Sequence, residues 1–234
     1  MSYAMDYVDQ RVAAEASADA RAAFIRKTYA HLAGAILAFV GLEAVLQSMV
    51  TDEVLVSLFA GRASWLIVMV AFMGVSYLAN YWAQSTVSRP LQYAGLGLYV
   101  VAEAVIFVPI LYIASRVAPD IVPKAGALTL AMFGGLTVVV FFTRTDFSFL
   151  RSFLCVASFI ALGLCVVSMF MGFTLGGVFS AAMIALASGY ILYYTSNIIH
   201  HYRTDQYVAA SLALFASVAL LFWYIVRIFT SSRN

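Results

Sequence analysis

Long apolar stretches separated by short polar connections fill most of the 234-residue chain. Seven of these stretches are long enough to cross a hydrocarbon core about 30 Å thick as α-helices. Hydrocarbon cannot satisfy backbone N–H and C=O groups, so each stretch is predicted to be helical. The predicted spans are residues 28–50, 63–83, 91–115, 123–142, 148–171, 175–200 and 207–229.

The short connections predict that consecutive helices pack as antiparallel neighbours in one bundle. The expected fold class is therefore an all-α membrane protein with a seven-helix transmembrane domain at 28–229. A tail at 1–27 precedes this domain, and a short tail at 230–234 follows it. The Ala-rich part of the first tail, 13–27, predicts a surface helix.

Small residues in the spans predict where helices approach closely, with a dimer interface as the alternative. They are Ala30, Gly34 and Ala38 in the first span, Gly134 and Gly135 in the fourth, and Gly163 in the fifth. Pro109 lies inside the third span, where it removes a backbone hydrogen bond. It predicts a kink that is either purely structural or a hinge for gating.

Composition supports the membrane class, since 64% of the residues are hydrophobic and only 10% are charged. The formal charge of +2 is small and the basic residues are scattered, so no nucleic acid partner is expected. With the N-terminus in the cytoplasm, eight basic residues face inward and five face outward. This bias predicts a cytoplasmic N-terminus and a periplasmic C-terminus in a bilayer.

Two acidic residues, Glu43 and Glu103, lie well inside the first and third spans. Both helices run in the same direction, which places the carboxyl groups about 22 and 18 Å into the membrane. Buried carboxylates are costly, usually face the bundle interior and are candidates for function. If the two meet, they share a proton or line an ion path. The alternative is that each is protonated, or bonded to a local partner, and merely structural.

Histidine supplies two further candidates, His31 near the start of the first span and His200 at the end of the sixth. Each is either a solvated interfacial residue or a pH-sensing group. Asp146 or Ser148, where the fifth span begins, is predicted to cap the helix that follows. No motif predicts a metal site, a cofactor or an enzyme, because neither His-x-x-x-His nor Gly-x-Ser-x-Gly occurs.

Several short segments resemble the Bax inhibitor (TMBIM) family of seven-helix membrane proteins. The Asp-Phe-Ser-Phe-Leu turn at 146–150 is similar to the turn that opens the fifth helix of that family. Phe-Ile-Arg-Lys-Thr-Tyr at 24–29 resembles its entry into the first helix. Pro109 begins a Pro-Ile-Leu that matches its Gly-Pro-Ile-Leu except that Val108 replaces the Gly. The resemblance extends over most of the chain and implies the same seven-helix fold.

The end of the sixth span carries the most specific part of this resemblance. Thr195-Ser-Asn197-Ile-Ile-His200 resembles the bacterial YccA branch in particular, and Tyr-Val-Ala-Ala-Ser-Leu follows at 207–212. Members of that branch bind and restrain the ATP-dependent membrane protease FtsH. The resemblance therefore implies an inner-membrane regulator in protein quality control or stress response, with an FtsH-type protease as partner.

The chain departs from the family at two positions that carry its calcium chemistry. Calcium-leak members place one carboxylate at the position of Tyr194 and another at the position of Ala216. A phenol and a methyl group cannot hold a divalent cation, which requires several oxygen ligands. The loss of this acid latch disfavours the competing function, a proton or cation leak channel. Glu43 and Glu103 nevertheless leave this second function as an alternative.

Overall fold

The computed structural model describes residues 12–53, 62–85 and 88–233. Seven helices in these ranges are long and apolar enough to cross a membrane, which confirms the predicted fold class. They are α1 Ala18–Met49, α2 Arg62–Ala83, α3 Arg89–Val117, α4 Ile121–Thr143, α5 Leu150–Met171, α6 Gly177–His200 and α7 Tyr207–Ser231. Of the predicted tails, residues 1–11 and 234 lie outside the described ranges.

Helix α1 begins well before the predicted start of the first span. The Ser17 side chain accepts a hydrogen bond from the Ala20 amide at 3.3 Å and caps the helix at Ala18. From Ala18 onward, the Ala-rich stretch is therefore continuous with the span and does not form a separate surface helix. Its 32 residues make α1 about 48 Å long, so the helix extends beyond a core of about 30 Å.

Helix α7 occupies the centre of the bundle and is the most buried of the seven. Because it is apolar on all sides, it is stable only when other helices surround it. It packs against α1, α3, α4 and α6, and at fewer positions against α2. In contrast to the prediction, α1 packs on α3 and α7 more than on α2, and α5 packs on α6 more than on α4. Helices arranged around a central one need not be neighbours in chain order.

The two ends of the bundle are named here by the chain: α1 begins at the N-terminal end, and α7 ends at the C-terminal end. At the N-terminal end, the Ala13 amide donates to the Tyr202 carbonyl at 2.8 Å. Arg21 Nε donates to the Ala13 carbonyl at 2.7 Å. Residues 12–17 are thereby attached to the connection between α6 and α7.

An ion-pair cluster joins α4 to α7 at the C-terminal end. Asp120 contacts Lys124 Nζ at 2.6 Å and Arg233 at 2.7 Å. These two cations lower the pKa of Asp120 to about 2. The side to which each end of the bundle faces stays a prediction from the distribution of basic residues.

Two helices approach closely at Gly95 on α3. A Cβ atom there would lie 2.5 Å from the Ala79 carbonyl oxygen and 2.7 Å from the Ala83 amide nitrogen, both on α2. The glycines predicted to mark close packing behave differently, since a Cβ would meet no described atom within 4 Å. They are Gly34, Gly134, Gly135 and Gly163. The prediction of close packing is therefore wrong at these positions, and the dimer alternative is still a prediction.

Candidate functional site

A cavity of about 980 Å³ lies between α2, α3, α5, α6 and α7. Its lining extends from the connection between α5 and α6, residues 172–175, to Tyr99 and Tyr194 in the N-terminal half of the bundle. Tyr194 is six residues from His200, so about 9 Å of helix separates this layer from the N-terminal end. The cavity therefore spans most of the thickness of the bundle.

Glu103 on α3 is the single acid among the described residues that line this cavity. The residue is buried, with 7% of its surface exposed. Tyr99, one helical turn toward the N-terminal end of α3, also lines the cavity. Helical spacing places both groups on one face of α3, because residues four apart are neighbours. The arrangement can hold a proton or one monovalent cation.

Arg227 on α7 is the single basic residue among the described lining residues. Its guanidinium donates to the Leu175 carbonyl at 2.5 Å and lies 6.0 Å from the centre of the Phe179 ring. These contacts hold the positive charge at the C-terminal mouth of the cavity. The cavity therefore has a positive charge, Arg227, at its C-terminal end and a carboxyl group, Glu103, deeper inside.

Tyr194 and Ala216, the two positions of the family's acid latch, both line this cavity. The Tyr194 ring packs against Tyr193 and Tyr190, with ring centroids 5.0 and 5.8 Å away. The structure therefore brings the two positions to the same space as Glu103. In place of two acids, the site has a phenol, a methyl group and one carboxyl group.

Glu43 on α1 is also buried, with 6% of its surface exposed, but it is not among the described residues that line the cavity. Gln47 Nε2 donates both to Glu43 Oε2 at 3.2 Å and to the Val108 carbonyl at 3.1 Å. Glu43 Oε1 has no hydrogen-bond partner among the described residues. The contact of Gln47 with Val108 places Glu43 at about the level of Glu103. No described hydrogen bond joins the two carboxyl groups, so the shared proton stays a prediction.

His31 is held between aromatic rings rather than left free. Its Nδ1 lies 2.6 Å from the Lys27 carbonyl oxygen, and its Nε2 lies 3.2 Å from the Tyr93 hydroxyl. The imidazole centroid is 5.5 Å from the Tyr93 ring and 5.0 Å from the Tyr207 ring. A pH-sensing role of His31 stays a prediction.

The connection between α4 and α5 is attached to the end of α6. The Phe147 amide donates to Ser196 Oγ at 2.9 Å, and His201 Nε2 lies 3.0 Å from Asp146 Oδ2. His200 Nε2 donates to the Arg144 carbonyl at 3.1 Å. His200 therefore holds the connection in place, and its predicted pH-sensing role is not tested by this contact.

Asp146 does not cap α5 as predicted. The helix begins at Leu150, and Asp146 Oδ1 accepts from the Ser148 amide at 2.9 Å, before the helix starts. The Ser148 amide first, and then the His201 imidazole, lower the pKa of Asp146 below its usual value. The carboxylate therefore stabilises the connection rather than the helix terminus.

This lowered pKa predicts an acid-dependent loss of stability. A carboxylate with a depressed folded-state pKa stabilises the protein above its unfolded pKa, and this contribution is lost as the pH falls through the folded value. Asp146→Asn is expected to lower the midpoint of thermal unfolding at pH 7, and the difference from the unmodified protein should shrink as the pH falls below the usual range of an aspartate pKa. Glu15→Gln, at the same end, serves as control. A pH-independent difference would contradict the role of the carboxylate charge.

Three residues that the sequence pattern singled out, Thr195, Asn197 and Pro109, lie inside helices. Thr195 and Asn197 are buried in α6, and neither the Thr195 hydroxyl nor Asn197 Oδ1 has a partner among the described residues. Pro109 lies inside α3, which continues to Val117. These placements favour packing roles for the three residues.

Sequence reasoning missed two polar residues of the cavity, Tyr99 and Arg227. The spacing of Tyr99 and Glu103, four residues apart on one helix, was the available signal for the first. Arg227 carried no comparable signal, because a basic residue near the end of a span usually marks the membrane surface.

Seven membrane-spanning helices, with a carboxyl group on the wall of a cavity between five of them, define a multi-pass α-helical membrane protein with a polar site in its bundle. The family model described as "Inhibitor of apoptosis-promoting Bax1" matches residues 21–234. The chain therefore belongs to the Bax inhibitor family, as the segments at 24–29 and 146–150 predicted, whereas the YccA branch suggested by residues 195–200 stays a prediction. This family is not known for enzymatic activity.

Relatives in plants, bacteria and fungi match this chain. Some matches cover most of its length, and others cover about half. Protein LIFEGUARD 4 of Arabidopsis thaliana is 28% identical over 93% of this chain and 88% of its own length. An uncharacterized protein of Pseudomonas aeruginosa is 36% identical over 47% of this chain and 50% of its own. Bax inhibitor 1 of Schizosaccharomyces pombe is 25% identical over 94% of this chain and 81% of its own length.

Proposed function

We propose that this chain is a proton-conducting member of the Bax inhibitor family in the bacterial inner membrane. The observation that carries the proposal is Glu103, a buried carboxyl group on the wall of a cavity of about 980 Å³. A charged carboxylate inside a membrane is costly unless a proton or cation accompanies it, and such residues mark proton and ion paths. Glu103 is then the group that accepts and releases the transported proton.

The lining of the cavity favours a proton over a calcium ion. Calcium takes six to eight oxygen ligands, usually with several carboxylates among them. Here Glu103 is the single described acid, and Tyr194 and Ala216 occupy the latch positions. Arg227 adds a positive charge at the C-terminal end of the cavity, and its repulsion is about twice as strong for a divalent cation as for a proton. A hydrogen-bonded chain of hydroxyl groups and water still allows a proton to pass.

The proposed route runs from the C-terminal mouth at 172–175 to Glu103 and then to the phenols of Tyr99 and Tyr194. Each phenol can donate and accept a hydrogen bond, as proton transfer along a chain requires. About 9 Å of helix remains between Tyr194 and the N-terminal end. With the predicted orientation, the mouth faces the periplasm and the shorter closed part faces the cytoplasm.

Flux measurements with two indicators test this proposal. Purified protein in liposomes is expected to dissipate an imposed pH gradient, while a calcium indicator under the same gradient reports no entry. The double substitution Tyr194→Asp and Ala216→Asp places two more carboxyl groups on the cavity wall and is expected to introduce calcium entry. Calcium flux through the unmodified protein, or no proton flux beyond protein-free liposomes, would contradict the proposal.

Regulation of an FtsH-type protease is a second candidate function. It is supported by the resemblance of residues 195–200 to the YccA branch. The same residues lie where the connection between α4 and α5, the end of α6 and the N-terminal segment meet. Residues 195–198 are themselves buried, so the accessible part of this region begins at His200 and His201. With the predicted orientation this part faces the cytoplasm, where the protease domains can reach it.

A degradation assay distinguishes this second function. The full-length protein is expected to slow FtsH-dependent turnover of another membrane substrate. Deleting residues 2–11 spares the described contacts of residues 12–17 and is expected to change the turnover of the chain itself. Replacing 2–11 with a Gly/Ser stretch of equal length separates the effect of sequence from that of length. Absence of co-purification and of any turnover effect would remove this function and leave the proton path unaffected.

A further inference from the structure

A cluster of basic and aromatic side chains lies at the N-terminal end, away from the cavity. It consists of Lys27 and His31 on α1, Arg89 and Tyr93 on α3, and Tyr207 at the start of α7. The Lys27 ammonium and the Arg89 guanidinium lie 5.5 and 5.7 Å from the centre of the same Tyr207 ring. We refer to these five residues as the basic aromatic cluster.

A continuous set of hydrogen bonds fixes this cluster. With its proton on Nδ1, the His31 ring donates to the Lys27 carbonyl at 2.6 Å, which leaves Nε2 to accept from the Tyr93 hydroxyl at 3.2 Å. The Tyr93 oxygen then accepts from Tyr207 at 3.1 Å, and the Tyr207 oxygen accepts from Arg89 at 2.7 Å. Both phenol protons are therefore used inside the cluster, while Lys27 and the remaining Arg89 N–H groups can still donate.

The two cations of the cluster have no carboxylate partner among the described residues. Four other basic residues each form an ion pair with an aspartate at 2.6 to 3.7 Å: Arg116, Lys124, Arg203 and Arg233. Lys27 and Arg89 instead share one aromatic ring and repel each other. An anion bound between them relieves this repulsion and satisfies their free donors.

The position of the cluster indicates where such an anion comes from. Lys27 directly precedes the predicted start of the first span, and Arg89 and Tyr207 are the first residues of α3 and α7. Tyrosine and basic side chains at this depth lie at the level of lipid headgroups. We propose that the basic aromatic cluster binds the phosphate group of an anionic phospholipid, with Arg89 as a planar donor and Lys27 as a point charge.

This site is independent of the proposed proton path, since no residue of the cluster lines the cavity. It has a structural consequence of its own. A bound headgroup bridges α1, α3 and the first residue of α7, and therefore stabilises the N-terminal end of the central helix.

Native mass spectrometry of the detergent-solubilised protein with added phosphatidylglycerol or phosphatidylcholine tests the proposal. Phosphatidylglycerol adducts are expected to persist at collision energies that remove phosphatidylcholine. The double variant Lys27→Gln, Arg89→Gln is expected to weaken phosphatidylglycerol binding about tenfold or more. The matched control Arg116→Gln, Lys124→Gln removes two charges at the other end of the bundle and is expected to bind as the unmodified protein does.

A single variant and a competition with inorganic phosphate complete the test. The single variant Lys27→Gln leaves the hydrogen bonds of Arg89 intact, so it reports binding even if the double variant does not fold. Inorganic phosphate at millimolar concentration is expected not to displace the lipid, and full displacement would assign the site to a soluble anion. Equal binding of both lipids, or unchanged phosphatidylglycerol binding by the Lys27 and Arg89 variants, would overturn the proposal.

Discussion

Replacing Glu103 with glutamine is expected to reduce proton flux through reconstituted protein about tenfold or more, because an amide cannot take up and release the transported proton. The fold should tolerate this change. Glutamine has nearly the same shape as a protonated glutamate, and its amide group can both donate and accept hydrogen bonds. Pairing the flux assay with thermal unfolding therefore separates a loss of conduction from a loss of structure.

Glu43→Gln is the matched control for Glu103→Gln. Glu43 is equally buried, but its described contacts are with Gln47 and not with the cavity. If the two acids act separately, Glu43→Gln should leave proton flux unchanged, and the double variant should equal the sum of the single variants in stability. A strong loss of flux in both single variants would instead indicate a shared path. Unchanged flux in Glu103→Gln would contradict the proposed route.

Gly95→Ala is expected to destabilise the protein by about 1–3 kcal/mol, because it forces a side-chain atom into occupied space. The new Cβ would lie 2.5 Å from the Ala79 oxygen and 2.7 Å from the Ala83 nitrogen. Both are backbone atoms of α2, so the clash cannot be relieved by a change of rotamer. Separating α2 from α3 is the remaining response, and it would also open one wall of the cavity.

Gly97→Ala provides the control on the same helix. A Cβ at Gly97 meets no described atom within 4 Å. The change should therefore be neutral, or stabilising by about 0.5–1 kcal/mol, since alanine favours helix more than glycine. Unfolding in detergent with a chemical denaturant measures both variants. Equal effects of Gly95→Ala and Gly97→Ala on stability would show that the close approach of α2 to α3 does not determine the cost of a side chain at residue 95.

The seven spans were predictable from the sequence because hydrocarbon requires long apolar helices, and this requirement acts on each segment separately. The position of α7 at the centre depends on all seven helices together. Its sequence carried a signal, since few polar residues interrupt it on any side. Gly34 and Gly95 show the limit of such signals. Both are glycines in apolar helices, and only the tertiary structure distinguishes the one that faces open space from the one that contacts a neighbouring backbone.

The candidate site was predictable only in part, because a single one of its members stands out by residue type alone. Glu103 is conspicuous in any apolar helix, because a buried acid is costly wherever it lies. The cavity beside it is formed by residues from five helices, and no local pattern encodes such a space. Arg227 belongs to the site only because the connection between α5 and α6 folds over the same opening. Residue type therefore predicted Glu103, the family resemblance pointed to Tyr194 and Ala216, and the packing of distant helices determined the other members of the site.

The central position of α7 has a consequence for biosynthesis. Helices leave the ribosome in chain order, so α1 to α6 enter the membrane before the helix around which they pack. Until residues 207–231 are inserted, the apolar faces that later contact α7 have only lipid or each other as partners. A nascent chain that stops before Tyr207 would consist of six inserted helices without their common core. Membrane quality control should therefore degrade such truncated chains faster than chains that include α7.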